Sequence, residues 1–255
     1  MMISNETFTS RPALLLTNTK VHIWHASLDQ PVEVLQKLGF VLSEEEIGRA
    51  ERFRYRQHRQ YFIAGRGILR FLLSQYTGIA PGQIQFAYTQ SGKPLLTSRD
   101  ETMDICFNLA HAGGLVLYAF TCGRRIGIDL EAIRPIEEMD EVAKMNFSPQ
   151  EYQKFQMIHE EARLTAFYNC WTRKEAFVKA IGDGRSYPLQ DFEVSLAPGE
   201  TARLISLQGS QRRASNWSMH DLRTRDGHVA ALVVEGNGYS ISHRQWTPPH
   251  FFRDL

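Results

Sequence analysis

Cysteine is scarce in this sequence, and the few present do not cluster. Cys106, Cys122 and Cys170 are odd in number, far apart and outside any metal-ligand spacing. That excludes a disulfide framework and a cysteine-based zinc site, and it suits reduced thiols in a cytoplasmic protein. No apolar run approaches the roughly 18 residues that a membrane span requires. The first dozen residues are polar and lack the charged-then-apolar order of a secretion signal. Net charge is small, +1 over 255 residues, so no global field favours nucleic acid or an anionic membrane. No P-loop, zinc-finger spacing, Gly-x-Ser-x-Gly elbow or His-Glu-x-x-His motif occurs. Gly65-Arg66-Gly67 lacks the third glycine and the preceding strand of a dinucleotide fingerprint. What remains is a chain with the composition of a globular protein, long enough for one large domain or two small ones.

The pattern that is present predicts a mixed α+β chain. Val21–Ala26 alternates as a strand, and Ser43-Glu44-Glu45-Glu46 has the form of a capping box that opens a helix. Arg49 to Arg70 carries seven arginines against the single acid Glu51, with apolar residues for one or two helices. Thr77-Gly78 and Pro81-Gly82 stop that element. Gln90-Ser91-Gly92-Lys93-Pro94 is a turn with Lys93 beside a glycine. Cys106 to Leu109 and Leu115 to Thr121 read as strands around Asn108 to Gly114, a loop or hairpin end. Ser148-Pro149-Gln150-Glu151 is a second capping signal, and a long helix is expected over 160–181. Strands follow at 192–196, 203–207, 217–220, 228–235 and 239–243. The run from Tyr61 through Gly78 and Pro81 to Phe86 repeats the order of that from Phe167 through Gly182 and Pro188 to Phe192. This predicts two similar halves, 1–123 (with an arm over 1–19) and 124–255.

Candidate chemistry centres on Ile126-Gly127-Ile128-Asp129-Leu130-Glu131. As a strand it places three aliphatic residues on one face and Gly127, Asp129 and Glu131 on the other. The glycine is expected to leave open space beside Asp129. Two carboxylates on a rigid element suit Mg²⁺, which takes one or two of them plus phosphate and water. The plain alternative is an edge strand with a solvated face. Glu175 and Lys179 share one face of the long helix, among apolar neighbours. Glu151 is either the third residue of its capping box or a general base near the metal. His111 lies with Asn108 and two glycines, which favours a ligand contact. The arginine stretch is a solvated face, an RNA-binding strip or a local phosphate site, and the near-neutral chain favours the last.

These residues, taken together, resemble a known family. Ile126–Glu131 followed by Trp171-x-x-Lys174-Glu175-Ala176-x-x-Lys179 is similar to the paired signature of the phosphopantetheinyl transferases. Gly92-Lys93-Pro94, Phe107-Asn108-Leu109-Ala110-His111 and the arginine stretch ending in Gly65-Arg66-x-x-Leu69-Arg70 extend the resemblance over roughly residues 40–195. It is to the surfactin-synthetase-activating (Sfp-like) type. The resemblance implies a pseudo-dimer of two α+β halves with the active site between them. It also implies transfer of the phosphopantetheine arm of coenzyme A to a serine of an acyl or peptidyl carrier protein, releasing adenosine 3′,5′-bisphosphate.

By the same resemblance Asp129, Glu131 and Glu175 hold Mg²⁺. Glu175, Glu151 and Lys179 are the catalytic groups, with Glu175 or Glu151 taking the serine proton. Arg49, Lys93, Asn108, His111, Lys174 and Lys179 contact coenzyme A. A cytoplasmic monomer working without nucleic acid or membrane is the corresponding expectation. Ala110 stands where the family has serine, which removes a hydroxyl contact to the coenzyme. That departure sustains an alternative, a catalytically impaired coenzyme A or carrier-binding module of the same fold.

Overall fold

A computed structural model describes residues 14–97, 104–182, 184, 187–249 and 252. The predicted arm over 1–19 therefore lies mostly outside the described residues. In the first half, β1 (Lys20–Ser27) is followed by α1 (Val32–Phe40), α2 (Glu44–Glu51) and α3 (Arg56–Thr77). Then come the short hairpin β2 (Phe86–Tyr88) and β3 (Pro94–Leu96), and the long hairpin β4 (Ile105–Ala112) and β5 (Leu115–Cys122). The second half runs β6 (Ile126–Ala132), α4 (Met139–Asn146), α5 (Pro149–Gln156) and α6 (Glu160–Ile181). It continues through β7 (Phe192–Val194), β8 (Leu204–Leu207), α7 (Gln211–Ala214), β9 (Trp217–Asp221), β10 (His228–Glu235) and β11 (Ser240–Gln245).

Strand alternation sorts the apolar residues into layers. Trp24, Val116, Tyr118 and Phe120 face α1 and α3 in one core. Their neighbours Val21, Ile23, Leu115, Leu117 and Ala119 face the other way, against Ile126, Ile128, Leu130 and Leu232 of the second sheet. A third core sets Ala231 and Val233 of β10 against Ala176, Phe177 and Ala180 of α6. The strand orders are β11-β1-β5-β4 and β6-β10-β9. The two sheets meet where the Ile128 amide of β6 donates to Asn108 Oδ1 of β4 at 2.9 Å.

The structure sharpens three expectations. The segment around Asn108 and His111 is a hairpin end rather than an open loop: both residues stand on strand β4, and the hairpin turns at Gly113 and Gly114, both at positive φ. Strand β11 crosses the expected boundary at 124, returning to pair in parallel with β1, Ile23 opposite His243. Trp246 and Phe252 then complete the core under α3. The arginine stretch is not one surface. Arg66 and Arg70 are buried on α3 and reach Glu46 of α2 at 3.3 and 2.8 Å, while Arg52, Arg54, Arg56 and Arg59 are exposed.

Candidate active site

Strand β6 and helix α6 approach each other at Gly127. A Cβ there would lie 2.1 Å from the Ala176 carbonyl oxygen and 2.3 Å from the Ala180 amide nitrogen. The space expected beside Asp129 is thus filled by helix backbone, and the polar face of β6 is covered rather than solvated. This contact brings Asp129 against Lys179. Asp129 is buried; its Oδ1 accepts from Lys179 Nζ at 2.6 Å, and its Oδ2 is buried with no hydrogen-bond partner. Two residues on, Glu131 is partly buried. Burial, and then the charge of Asp129, push its carboxyl above the usual range, while Lys179, Arg134 and a hydrogen bond from Trp171 oppose that.

An orphaned carboxylate oxygen and a second carboxylate that feels its charge are what a hard divalent cation relieves, so Asp129 and Glu131 fit Mg²⁺. The expected three-acid set is not assembled. Among the described residues no group of three His, Cys, Asp or Glu side chains gathers around a metal position. Glu175 is partly buried, one helical turn before Lys179, and is already engaged by a neighbour. Trp171, Glu175 and Lys179 fall at spacings of four on α6 and share one face. That spacing was the available signal for Trp171, which the sequence reading placed in the paired signature and among the apolar neighbours without giving it a role of its own.

Glu151 and Lys174 do not join this group: of the two readings of Glu151 the capping box is the one that forms, and Lys174 is paired inside the core rather than displayed to a coenzyme. Glu151 accepts from the Ser148 amide at 2.7 Å and the Val194 amide at 2.6 Å, and pairs with Lys174 Nζ at 2.7 Å. Lys174 also donates to the Leu189 and Phe192 carbonyls at 2.6 and 2.7 Å. Both are essentially inaccessible. In this arrangement the Glu151 oxygens serve the capping box, the Val194 amide and the buried pair, and the Lys174 ammonium serves the core. Burial raises the Glu151 carboxyl, and Lys174 is the strongest opposing influence.

Two expected coenzyme contacts also have other partners. Asn108 Oδ1 bonds the Ile128 amide, and Lys93 Nζ donates to the Ile126 and Lys179 carbonyls. Arg49 remains exposed on α2, its guanidinium 5.4 Å over the Phe62 ring. His111 remains accessible. Partial desolvation, tempered by that exposure, and the charge of Lys179 hold its pKa below the ordinary histidine value. Ala110 is buried in the core between the sheets, 4% exposed, where a serine hydroxyl would need a partner.

Two family models divide the chain at this junction. One, the 4′-phosphopantetheinyl transferase superfamily, matches residues 125–233; the other, the 4′-phosphopantetheinyl transferase N-terminal family, matches 23–122. The 4′-phosphopantetheinyl transferase HetI of Nostoc sp. is 40% identical over 238 residues, covering 93% of this chain and 97% of its own. The 4′-phosphopantetheinyl transferase Sfp of Bacillus subtilis strain 168 is 30% identical over 176 residues, covering 68% and 76%. A solved holo-(acyl-carrier-protein) synthase from Bacillus anthracis, in complex with CoA, aligns with 44% of this chain and 96% of its own, at 25% identity and a TM-score of 0.34. The two family models and the two curated relatives agree: the chain belongs to the 4′-phosphopantetheinyl transferase superfamily.

Proposed function

We propose that the β6–α6 junction is where this chain carries out its family's reaction, transfer of the phosphopantetheine arm of coenzyme A to a carrier-protein serine. The observation that carries this reading is the buried, unpartnered Asp129 Oδ2 beside the Lys179 ammonium. Asp129 and Glu131 would hold Mg²⁺, which supplies Lewis-acid neutralisation of the pyrophosphate charge. Lys179, 31% exposed at its side chain, is accessible enough to neutralise phosphate oxygens as well as to hold Asp129. His111 and Arg49 are left with accessible cationic or hydrogen-bonding groups for the 3′-phosphate.

Phosphoryl transfer asks mainly for positioning and charge neutralisation. The carrier serine Oγ attacks the phosphorus that bears the pantetheine arm. A new Oγ–P bond forms, the P–O bond to adenosine 3′,5′-bisphosphate breaks, and the hydroxyl proton passes to Glu175. With Glu151 sealed in the core, Glu175 is the acid left to take that proton.

The impaired-module alternative loses its motive, since Ala110 fills a core position and need not face the coenzyme. We read the protein as a cytoplasmic monomer, the two halves supplying within one chain the junction that holds the site. No helix among the described residues is long and apolar enough to cross a membrane. The test is incubation with coenzyme A, Mg²⁺ and a panel of apo carrier proteins, followed by intact-mass analysis. A carrier should gain the mass of the arm only when Mg²⁺ is present. Normal coenzyme A binding with no transfer to any carrier refutes the enzymatic reading.

A further inference from the structure

The last turn of a helix leaves carbonyls without partners in their own element. At the C-terminal end of α6 one of these, and the carbonyl of the cap residue Gly182 just beyond, are met by the first half of the molecule. Lys93 Nζ, from the β2–β3 turn, donates to the Lys179 carbonyl at 2.6 Å, and Ser91 Oγ donates to the Gly182 carbonyl at 2.8 Å. The same Lys93 ammonium donates to the Ile126 carbonyl, at the start of β6, at 2.9 Å. A cation at a helix C-terminus also suits the helix dipole.

The turn is built to present these groups. Gly92 supplies a positive φ of 83°, and Thr89 Oγ1 accepts from the Lys93 amide at 3.1 Å and bonds Ser91 Oγ at 2.8 Å. The fit is close: a Cβ on Gly184 would lie 2.5 Å from Ser91 Cβ. One ammonium therefore touches both elements of the candidate site. On α6 it holds the backbone of Lys179, whose side chain grips Asp129; on β6 it holds the residue three before Asp129.

We propose that Lys93 is a positioning residue of the transfer: reaching across from the first half, it clamps the start of β6 to the end of α6 and so sets the spacing of Asp129 and Lys179. This deepens the function proposed above and rests on it. It also replaces the expected role of the Lys93 side chain as a coenzyme contact. Burial pushes the ammonium down to about 8, opposed by Cys106 on β4 and assisted by Arg125 just before β6 and Lys179 on α6. A charge withdrawn from water to that degree is engaged by the protein rather than displayed to solvent.

The experiment compares wild type with Lys93→Met, Lys93→Arg and Ser91→Ala. It measures steady-state transfer to a carrier, coenzyme A affinity by calorimetry and amide hydrogen exchange. Lys93→Met should lower kcat by about tenfold to hundredfold, the scale of a small misplacement in an active site. Coenzyme A affinity should stay within about twofold, and Lys93→Arg should restore part of kcat. Amides over 126–130 and 178–182 should exchange faster in Lys93→Met, while those of β1 and β5 should not.

A saturated kcat near wild type, or a loss of coenzyme A affinity with kcat kept, overturns the proposal. If Lys93→Met does not fold, Ser91→Ala decides: faster exchange at 178–182 with a lower kcat supports the clamp, and unchanged exchange and kcat overturn it. If the wild type transfers to no carrier, the functional reading has failed. Hydrogen exchange then tests the clamp separately, and unchanged exchange at 126–130 and 178–182 in Lys93→Met removes it.

Discussion

Helices α3 and α6 are both 22 residues long and both end at a left-handed glycine, Gly78 and Gly182. Each follows a short helix opened by a reciprocal capping box, Ser43 with Glu46 and Ser148 with Glu151. In each half the capping glutamate turns inward to a buried cation on the long helix, Arg70 or Lys174, placed eight residues before the glycine. That cation then donates to carbonyls just beyond the helix, of Pro81 and Ile84 in one half and of Leu189 and Phe192 in the other. The halves part company one residue later. Phe71 follows Arg70 and is buried against Phe252, with ring centroids 5.1 Å apart, whereas the partly buried Glu175 follows Lys174. Five residues beyond the cation stand Gln75 and Lys179. Positions that recur in both halves hold the frame; the candidate chemistry occupies positions that do not recur.

The strongest way to break this comparison is at the buried pair. Lys174→Met strands the Glu151 charge and should cost about 3–5 kcal/mol in chemical denaturation, the usual range for breaking a buried ion pair. Glu46→Gln, which leaves Arg70 uncompensated, should be destabilising for the same reason. A Lys174→Met protein that keeps wild-type stability but loses transfer would return Lys174 to the active site and separate the two halves' frames.

Next comes Glu175→Gln, with Asp129→Ala beside it. Each should lower the transfer rate by about 100-fold, the scale of a lost electrostatic stabiliser, with stability much less affected than in Lys174→Met. Turnover near wild type in either variant removes that residue from the proposed mechanism.

The smallest effect concerns His22 of β1, whose pKa is lowered to about 4 by burial first and then by Arg244 and Lys20. Its ring nitrogen Nδ1 lies 2.9 Å from the Tyr76 hydroxyl. Between pH 6.5 and 4 the unfolded chain binds a proton at this site that the folded chain refuses, so stability falls on acidification through that window. His22→Gln should flatten that part of the stability–pH curve measured by urea titration. An unchanged slope would show that other groups govern it.

Much of this was legible from sequence, for reasons that differ by element. Alternation along Ile126–Leu130 described the inter-sheet core correctly because one face of that strand is wholly apolar. The two capping boxes formed as expected, since their hydrogen bonds are local. What spacing does not reveal is which neighbours already hold a polar atom. Glu151, Lys174, Asn108 and Lys93 had plausible site chemistry, yet each is engaged by backbone or by a buried partner up to 86 residues away. The repeat held the missing information for one pair: Arg70 and Lys174 stand at the same offset from their glycines, but one is arginine and the other lysine, and element order alone did not align them. The return of β11 to β1 had no local signal, because an edge strand's partner is set by tertiary pairing rather than by its own residues.

That returning strand bears on where the chain can be divided. A fragment stopping near residue 122, where the first family match ends, would present β1 as a bare sheet edge, with its open row of amides and carbonyls available to a second molecule. It would also leave Phe71 without the Phe252 ring. The two matched segments are thus sequence units but not detachable ones. A split or circularly permuted version would have to carry residues 240–252 with the first half to keep that half from associating with itself.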